Sequence, residues 1–168
     1  QVLESCERLL AIGCFCAGTN QVDLDKAAEQ GVAVFNSPFS NTRSVAELTI
    51  SEIIALHRQL TARSHAAHQG QWLKSAAGAH EVRGKTLGII GYGHIGSQVS
   101  ILAESMGMRV LFFDAMNKLS LGNATAANSL EQVLRESDVV TLHVPDTETT
   151  RGLIGAHEIG MMKPGEKK

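Results

Sequence analysis

The glycine-rich run GYGHIG at 91–96 constrains the fold of this chain more than any other feature. It follows the apolar run KTLGIIG at 85–91, which is typical of a buried strand, and apolar residues at helical spacing come after it. RVLFFD at 109–114 and VVTLHV at 139–144 predict two further strands. Strands that alternate with helices indicate an α/β fold, here a partial doubly wound parallel sheet of the Rossmann type.

The glycines of this run meet separate steric demands of a dinucleotide site. Gly91 allows a tight turn, Gly93 lets a pyrophosphate approach the backbone, and Gly96 lets the helix pack closely on the strand. The pyrophosphate would lie at the helix N-terminus, on N–H groups near His94 and Ile95. We therefore predict that these five residues bind a cofactor, the alternative being a tight strand–helix turn that binds nothing.

Asp114 closes the second predicted strand, where its carboxylate would accept hydrogen bonds from the adenosine ribose. It would repel a 2′-phosphate, which predicts NAD rather than NADP, although nearby Lys118 could soften that preference. The alternative for Asp114 is a solvated charge at a strand end. His143, Val144 and Pro145 end the third predicted strand beside the adenine side of the pocket, where they either line it or only shape the turn.

A smaller strand–helix–strand pattern comes first in the chain. LAIGCFCAG at 10–18 predicts a buried strand and GVAVFNSP at 31–38 predicts another strand. Residues 23–29 predict a helix that ends at Gly31. On the first strand Cys14 and Cys16 would share one face, and we expect buried thiols in a reducing cytoplasm.

Two capping boxes predict where helices begin. Ser44 with Glu47 predicts one long helix that continues to about Gln69, with an apolar stripe along one face. Such a length in so small a chain favours a bridge between domains or a contact with a partner. Ser129 with Gln132 predicts the helix before the third strand, and a last short helix is expected over 156–162.

Composition excludes several functional classes. The net charge is −2 with no basic run, which argues against nucleic acid as a partner. No apolar stretch is long enough to span a bilayer, and the N-terminus lacks the pattern of a signal peptide. His65 and His68 share a helix face, but two ligands alone do not make a metal site, so no metal is predicted.

Several segments resemble the D-isomer-specific 2-hydroxyacid dehydrogenases. CFCAGTNQVDLDKAA at 14–28, FNSPFSNTRSVAEL at 35–48 and GKTLGIIGYGHIGSQ at 84–98 are typical of that family. KLSLGNAT at 118–125 is the most specific, because it resembles the branch that oxidises 3-phosphoglycerate in serine biosynthesis. The resemblance covers nearly the whole chain.

The resemblance implies an enzyme of two domains. Residues 1–40 would be the C-terminal part of the first segment of a flavodoxin-like substrate domain. Residues 41–168 would be a crossover helix and the first half of an NAD-binding Rossmann domain, truncated before its fourth strand. Both ends of the chain look cut, so we expect a fragment of a longer cytoplasmic enzyme.

The implied reaction is hydride transfer from C2 of 3-phosphoglycerate to NAD, which gives 3-phosphohydroxypyruvate. The family's catalytic Arg, Glu and His lie beyond the fourth strand, so none is assigned here and the fragment is expected to be inactive. Asn41 matches a substrate-binding position, the alternative being a residue that satisfies a helix entry. A homo-oligomer would form through residues 43–72, where Trp72 is either an interface or a core residue.

Two other functions remain open at this point. One is an NAD-dependent dehydrogenase of another D-2-hydroxy acid. The other is a non-catalytic module that only binds NAD.

Overall fold

The computed structural model of the protein describes residues 2–6 and 8–164. The chain forms two compact units, Gln1–Arg43 and Ser44–Lys168. Seven helices and six strands are found in the described part: α1 Val2–Ser5, β1 Ala11–Cys14, α2 Leu24–Glu29, β2 Ala33–Asn36, α3 Thr42–His57, α4 Leu60–His68, β3 Thr86–Ile90, α5 His94–Ser105, β4 Arg109–Phe113, β5 Thr125–Ala126, α6 Leu130–Glu136, β6 Val139–Leu142 and α7 Ala156–Met161.

The first unit contains the predicted strand–helix–strand pattern. β1 and β2 pair in parallel over four residues each. The carboxylate of Asp23 caps α2 by accepting a hydrogen bond from Lys26 N at 2.9 Å. The chain leaves this helix through Gly31 at φ +69°, a left-handed conformation that favours glycine, so the predicted helix end is confirmed.

The prediction that Cys14 and Cys16 share one strand face is wrong. β1 ends at Cys14, which is buried, and Cys16 lies exposed in the bend that follows. The thiol of Cys16 instead takes part in local hydrogen bonds with Gly18 O and the side chain of Gln21. The local bend therefore separates the environments of the two thiols.

The single long helix predicted to begin at Ser44 is two helices, separated at Gln59. This residue adopts a left-handed conformation at φ +56°. The side chain of Gln59 donates to Gly78 O at 2.7 Å, and His80 N donates to His57 O at 2.8 Å. Groups from a later segment thus take the place of helical hydrogen bonds at the break, which is a tertiary effect.

The two predicted capping boxes differ in outcome. Ser44 does not cap, because α3 begins at Thr42 and Ser44 lies inside the helix. Ser129 does cap α6, since its Oγ accepts from Gln132 N at 3.2 Å. In the predicted box the side chain of Gln132 would accept from Ser129 N. Instead, Gln132 Oε1 accepts from Asn128 N at 2.8 Å, one residue earlier than predicted.

The second unit is built on a parallel sheet of four strands in the order β5-β4-β3-β6. All five residues of β3 are buried. On one face Leu87 and Ile89 pack in a core cluster with Val99 of α5, and on the other Ile90 packs with Leu134 of α6. Helices on both faces confirm the Rossmann-type doubly wound sheet.

Two details of this sheet differ from the prediction. The short edge strand β5, Thr125–Ala126, was not predicted, because two residues carry no periodicity. The strand expected over 139–144 ends at Leu142, so His143 is the first residue after it. The helix expected over 156–162 is present as α7.

Candidate functional site

Gly91 lies where three strands of the second unit end. Its N–H donates to Phe113 O at the end of β4, and His143 N donates to Ile90 O, both at 2.8 Å. A Cβ on Gly91 would lie only 2.5 Å from His143 O, and the residue has φ +92°. Glycine is therefore required at this point, where β3 has neighbours on either side and ligands of such sheets bind.

Gly96 and Gly93 serve different purposes. A Cβ on Gly96 would lie 2.2 Å from Gly91 O and 3.1 Å from Ile89 Cγ2, so glycine is needed to pack α5 against the turn and β3. A Cβ on Gly93 would meet nothing within 4 Å. The protein itself does not require glycine at 93, and the open space there suits a ligand that approaches the backbone.

The N-terminus of α5 faces this space. Gly93 is its N-cap residue and provides no side-chain cap. An α-helix does not satisfy its first N–H groups internally, and here these include Ile95 N and Gly96 N. The side chain of His94 is exposed, whereas that of Ile95 is partly buried and packs against the core, so the backbone N–H of Ile95 is its main group for binding an anion. The arrangement suits an anion such as a pyrophosphate.

The Asp114 carboxylate is hydrogen-bonded to the glycine loop. Its Oδ2 accepts from Tyr92 N at 2.8 Å, and its Oδ1 accepts from Met116 N at 2.9 Å. A carboxylate has about four acceptor positions, so capacity remains for ribose hydroxyls. Asp114 thus does two things: it holds the turn in place and presents negative charge beside it.

The three residues after β6 have different environments. His143 is partly buried, with Nε2 3.1 Å from Thr141 Oγ1, and this burial lowers its pKa below the ordinary value. A neutral imidazole is therefore favoured at pH 7. Val144 packs against the second core cluster, and Pro145 is exposed with its carbonyl accepting from Thr150 Oγ1.

The predicted substrate-binding residue Asn41 belongs to the first unit. It is exposed and directly precedes α3. The other nine predicted site residues belong to the second unit, where the contacts above bring Gly91, Gly96, Asp114 and His143 together.

Tyr92, which lies within the glycine loop, was not among the predicted site residues. Its side chain is 4% exposed and stacks on Phe112, with ring centroids 3.7 Å apart. The hydroxyl donates to Ser100 Oγ at 3.1 Å and accepts from Leu121 N at 3.4 Å. The sequence feature that could have indicated this role is a large aromatic residue between two glycines.

Residues 2–6 and 8–164 contain neither a membrane-spanning helix nor a cluster of metal-binding side chains. No described helix combines the length and apolar character that crossing a membrane requires. No group of three or more His, Cys, Asp or Glu side chains among these residues could hold a metal ion.

The sequence model described as "D-isomer specific 2-hydroxyacid dehydrogenase, NAD binding domain" matches residues 50–167, more than two thirds of the chain. The chain belongs to this family. The resemblance drawn from the sequence motifs is thereby confirmed.

The curated relatives include several D-3-phosphoglycerate dehydrogenases. The chain is 60% identical to the one from Escherichia coli K12 over 164 residues, and 59% identical to the one from Dictyostelium discoideum over 165 residues. Each match covers 98% of this chain and 40% of the relative. The chain therefore spans about two fifths of the length of these relatives.

Two solved structures share this fold. The TT0316 protein from Thermus thermophilus superimposes with a TM-score of 0.90 at 32% identity, covering 96% of this chain and 52% of that protein. D-lactate dehydrogenase from Aquifex aeolicus, solved with NAD and lactic acid, gives 0.84 at 33% identity, covering 96% and 49%. Both likenesses extend over almost all of the present chain.

Proposed function

We propose that this chain carries the first half of the NAD site of a longer enzyme that oxidises 3-phosphoglycerate. The observation that carries the proposal is the 2.8 Å hydrogen bond from Tyr92 N to Asp114 Oδ2, which joins the phosphate-binding turn and the ribose-binding acid in one unit. The choice of substrate rests on the 60% identity to the E. coli D-3-phosphoglycerate dehydrogenase.

Each part of the proposed NAD site has its own ligand group. The pyrophosphate would lie over Gly93 and the first turn of α5, where a Cβ would meet no protein atom. Asp114 would accept the ribose hydroxyls and disfavour a 2′-phosphate, which gives NAD over NADP. Exposed Pro145 would border the adenine, while Val144 supports the turn from the core.

In the proposed reaction the hydride leaves C2 of 3-phosphoglycerate and the hydroxyl proton leaves with it, giving 3-phosphohydroxypyruvate. NAD, when bound, accepts that hydride. The described residues bind and orient the adenosine half of the cofactor, and Asn41 is proposed to contact the substrate. The Arg, Glu and His that handle the carboxylate and the proton are proposed to lie in the longer enzyme, so this chain alone binds without catalysis.

We propose that residues 1–40 belong to the substrate domain and that a second copy of the chain packs against residues 43–72. Support for the contact comes from large apolar side chains exposed in this region: Leu56 is 74%, Leu60 is 59% and Trp72 is 83% exposed. The exposure of Trp72 in this chain supports the interface alternative over the core alternative. A cytoplasmic location is proposed from the metabolic role.

A second candidate is a dehydrogenase for another D-2-hydroxy acid. The observation that favours it is the TM-score of 0.84 to a D-lactate dehydrogenase, because one fold in this family serves different acids. A module that binds NAD without any reaction is the third candidate.

A chimera tests the choice among these functions. Residues of this chain would replace the matched 164-residue segment of the E. coli D-3-phosphoglycerate dehydrogenase. We expect the chimera to reduce NAD with 3-phosphoglycerate and to show little rate with D-lactate. A folded chimera that prefers D-lactate, or that binds NAD without turnover, would favour the second or third candidate.

A further inference from the structure

Tyr92 extends from the glycine loop, and its hydroxyl contacts Ser100 and Leu121. Its ring is buried against Phe112 of β4, so the position of the hydroxyl is fixed by packing. That hydroxyl lies between Ser100 Oγ on α5 and the backbone N–H of Leu121. One side chain thus connects the glycine loop to a segment that follows Asp114.

The segment is residues 115–123, which we call the 115–123 loop. Its large apolar side chains are not buried: Met116 is 67%, Leu119 is 91% and Leu121 is 44% exposed. Burial of apolar area therefore does little to hold this loop in one conformation. Its position has to depend on polar contacts made by its backbone.

Side chains outside the loop hold its backbone at three points. At its start Met116 N donates to Asp114 Oδ1 at 2.9 Å, and near its middle Leu121 N donates to the Tyr92 hydroxyl at 3.4 Å. At its end Asn123 N donates to both carboxylate oxygens of Glu104 on α5, at 2.9 and 3.2 Å.

Tyr92 contributes to both ends of the stretch from Asp114 to Leu121. Its backbone N–H holds the Asp114 carboxylate at 2.8 Å, and its hydroxyl holds Leu121 N. The loop begins directly after Asp114, the residue proposed to bind the adenosine ribose, so the position of the loop bears on the adenosine side of the site. Ordering the loop before binding would reduce the entropy lost when the cofactor binds.

We propose that Tyr92 and Glu104 are positioning residues that hold the 115–123 loop in place and so raise affinity for the adenosine half of NAD. Neither side chain needs to touch the cofactor. The inference rests on the proposed NAD site and adds to it residues that set affinity from behind the binding surface.

The test compares variants of this chain in NADH and ADP-ribose binding and in amide exchange at Leu121. Tyr92→Phe keeps the stacked ring and removes the hydroxyl that accepts from Leu121 N. Ser100→Ala is the matched control, because it removes the other partner of the same hydroxyl and leaves the contact with Leu121. Glu104→Ala, at a half-buried surface position of α5, removes the second anchor without changing the core.

We expect Tyr92→Phe and Glu104→Ala each to weaken NADH and ADP-ribose binding by about two- to tenfold, the range of one net hydrogen bond. Exchange at Leu121 should accelerate in Tyr92→Phe and stay near wild type in Ser100→Ala. Binding of inorganic pyrophosphate, which needs only the glycine loop, should stay the same in all variants, whereas general destabilisation would weaken it too.

The results distinguish failure of the proposed NAD site from failure of the proposed role of Tyr92 and Glu104. A folded wild-type chain that binds neither NADH nor ADP-ribose would overturn the proposed function and this inference with it. Tight NADH binding by wild type and by both anchor variants alike would overturn the inference alone, as would unchanged exchange at Leu121 in Tyr92→Phe.

Discussion

The two parallel sheets of this chain contain similar apolar strands but differ in burial. In the second unit all five residues of β3 are buried. In the first unit β1 buries one residue of four and β2 buries none, so the prediction of a buried first strand is wrong. Large apolar side chains near these strands remain exposed, including Phe15 at 99% and Phe35 at 64%.

The difference follows from what covers each sheet. Helices pack on both faces of the four-stranded sheet, which is the arrangement that parallel strands need. In the two-stranded sheet, β2 contacts α2, a helix of six residues of which Ala27 is buried. The sequence pattern of parallel strands therefore predicts how the strands pair. The stability of the sheet depends on the helices that pack against its faces.

The largest expected effect is loss of packing in the four-stranded sheet. Ile89→Ala removes a side chain that is 0% exposed and should lower the free energy of unfolding by about 2–5 kcal/mol. Phe35→Ala, at 64% exposed, should cost less than about 1 kcal/mol. Urea unfolding followed by circular dichroism measures both. Equal losses would show that burial does not distinguish the two sheets.

A second prediction compares Gly96, which the fold requires, with Gly93, which is proposed to lie against the pyrophosphate. Gly96→Ala should destabilise the chain by about 1–3 kcal/mol, because its Cβ would lie 2.2 Å from Gly91 O. Gly93→Ala should change stability by less than about 1 kcal/mol and weaken NADH binding. Thermal unfolding with a parallel NADH titration checks this pair. A Gly93→Ala chain with unchanged affinity would refute the proposed pyrophosphate position.

A third prediction concerns acid stability at the carboxyl end of the sheet. Burial lowers the pKa of His143, so the unfolded chain binds a proton at higher pH than the folded chain does. The resulting stability is complete above the ordinary histidine pKa of about 6.5 and declines as the pH falls through the folded pKa. Unfolding at pH 7.5, 6 and 5 should show a smaller decline in His143→Gln. Identical declines would exclude this histidine as a source.

The smallest expected effect concerns Asp138, which directly precedes β6. Partial burial alone would raise the pKa of Asp138, but hydrogen bonds from Thr86 N and Lys163 and the charge of Lys85 outweigh it, so the pKa is lowered. The stability it contributes is present above the ordinary aspartate pKa and is lost as the pH falls through the folded pKa.

Lys163→Met tests this ion pair, whose Nζ–Oδ1 distance is 3.0 Å. The variant should raise the pKa of Asp138 and change the free energy of unfolding by less than about 1 kcal/mol at pH 7, as expected for a partly exposed pair. Carboxyl titration by NMR measures the shift. An unmoved pKa would mean that Thr86 N and the charge of Lys85 lower it without a contribution from Lys163.

The sequence predicted several features that depend on nearby residues, although the capping box at Ser44, also a local pattern, was wrong. The glycine turn, the cap at Ser129 and the buried strands follow from spacing and from local steric demands. The break at Gln59 was not predicted, because it depends on contacts with Gly78 and His80. The role of Tyr92 was missed for the same reason, since its hydroxyl meets residues 8 and 29 positions away.

The site could be predicted only in part. Asp114 was expected as a ribose acceptor, but its hydrogen bonds to Tyr92 N and Met116 N make it a structural residue as well. Replacing it would leave two donors without their partner and disturb the turn. A comparison of ligands therefore tests this residue more cleanly than a substitution does.

Calorimetric titration of this 168-residue chain with NADH and with NADPH is the decisive test of the proposed NAD site. We expect measurable NADH binding, matched by ADP-ribose, and NADPH binding at least about tenfold weaker because the 2′-phosphate meets the Asp114 carboxylate. Absence of NADH binding by a chain shown to be folded, or equal affinity for NADH and NADPH, would contradict it.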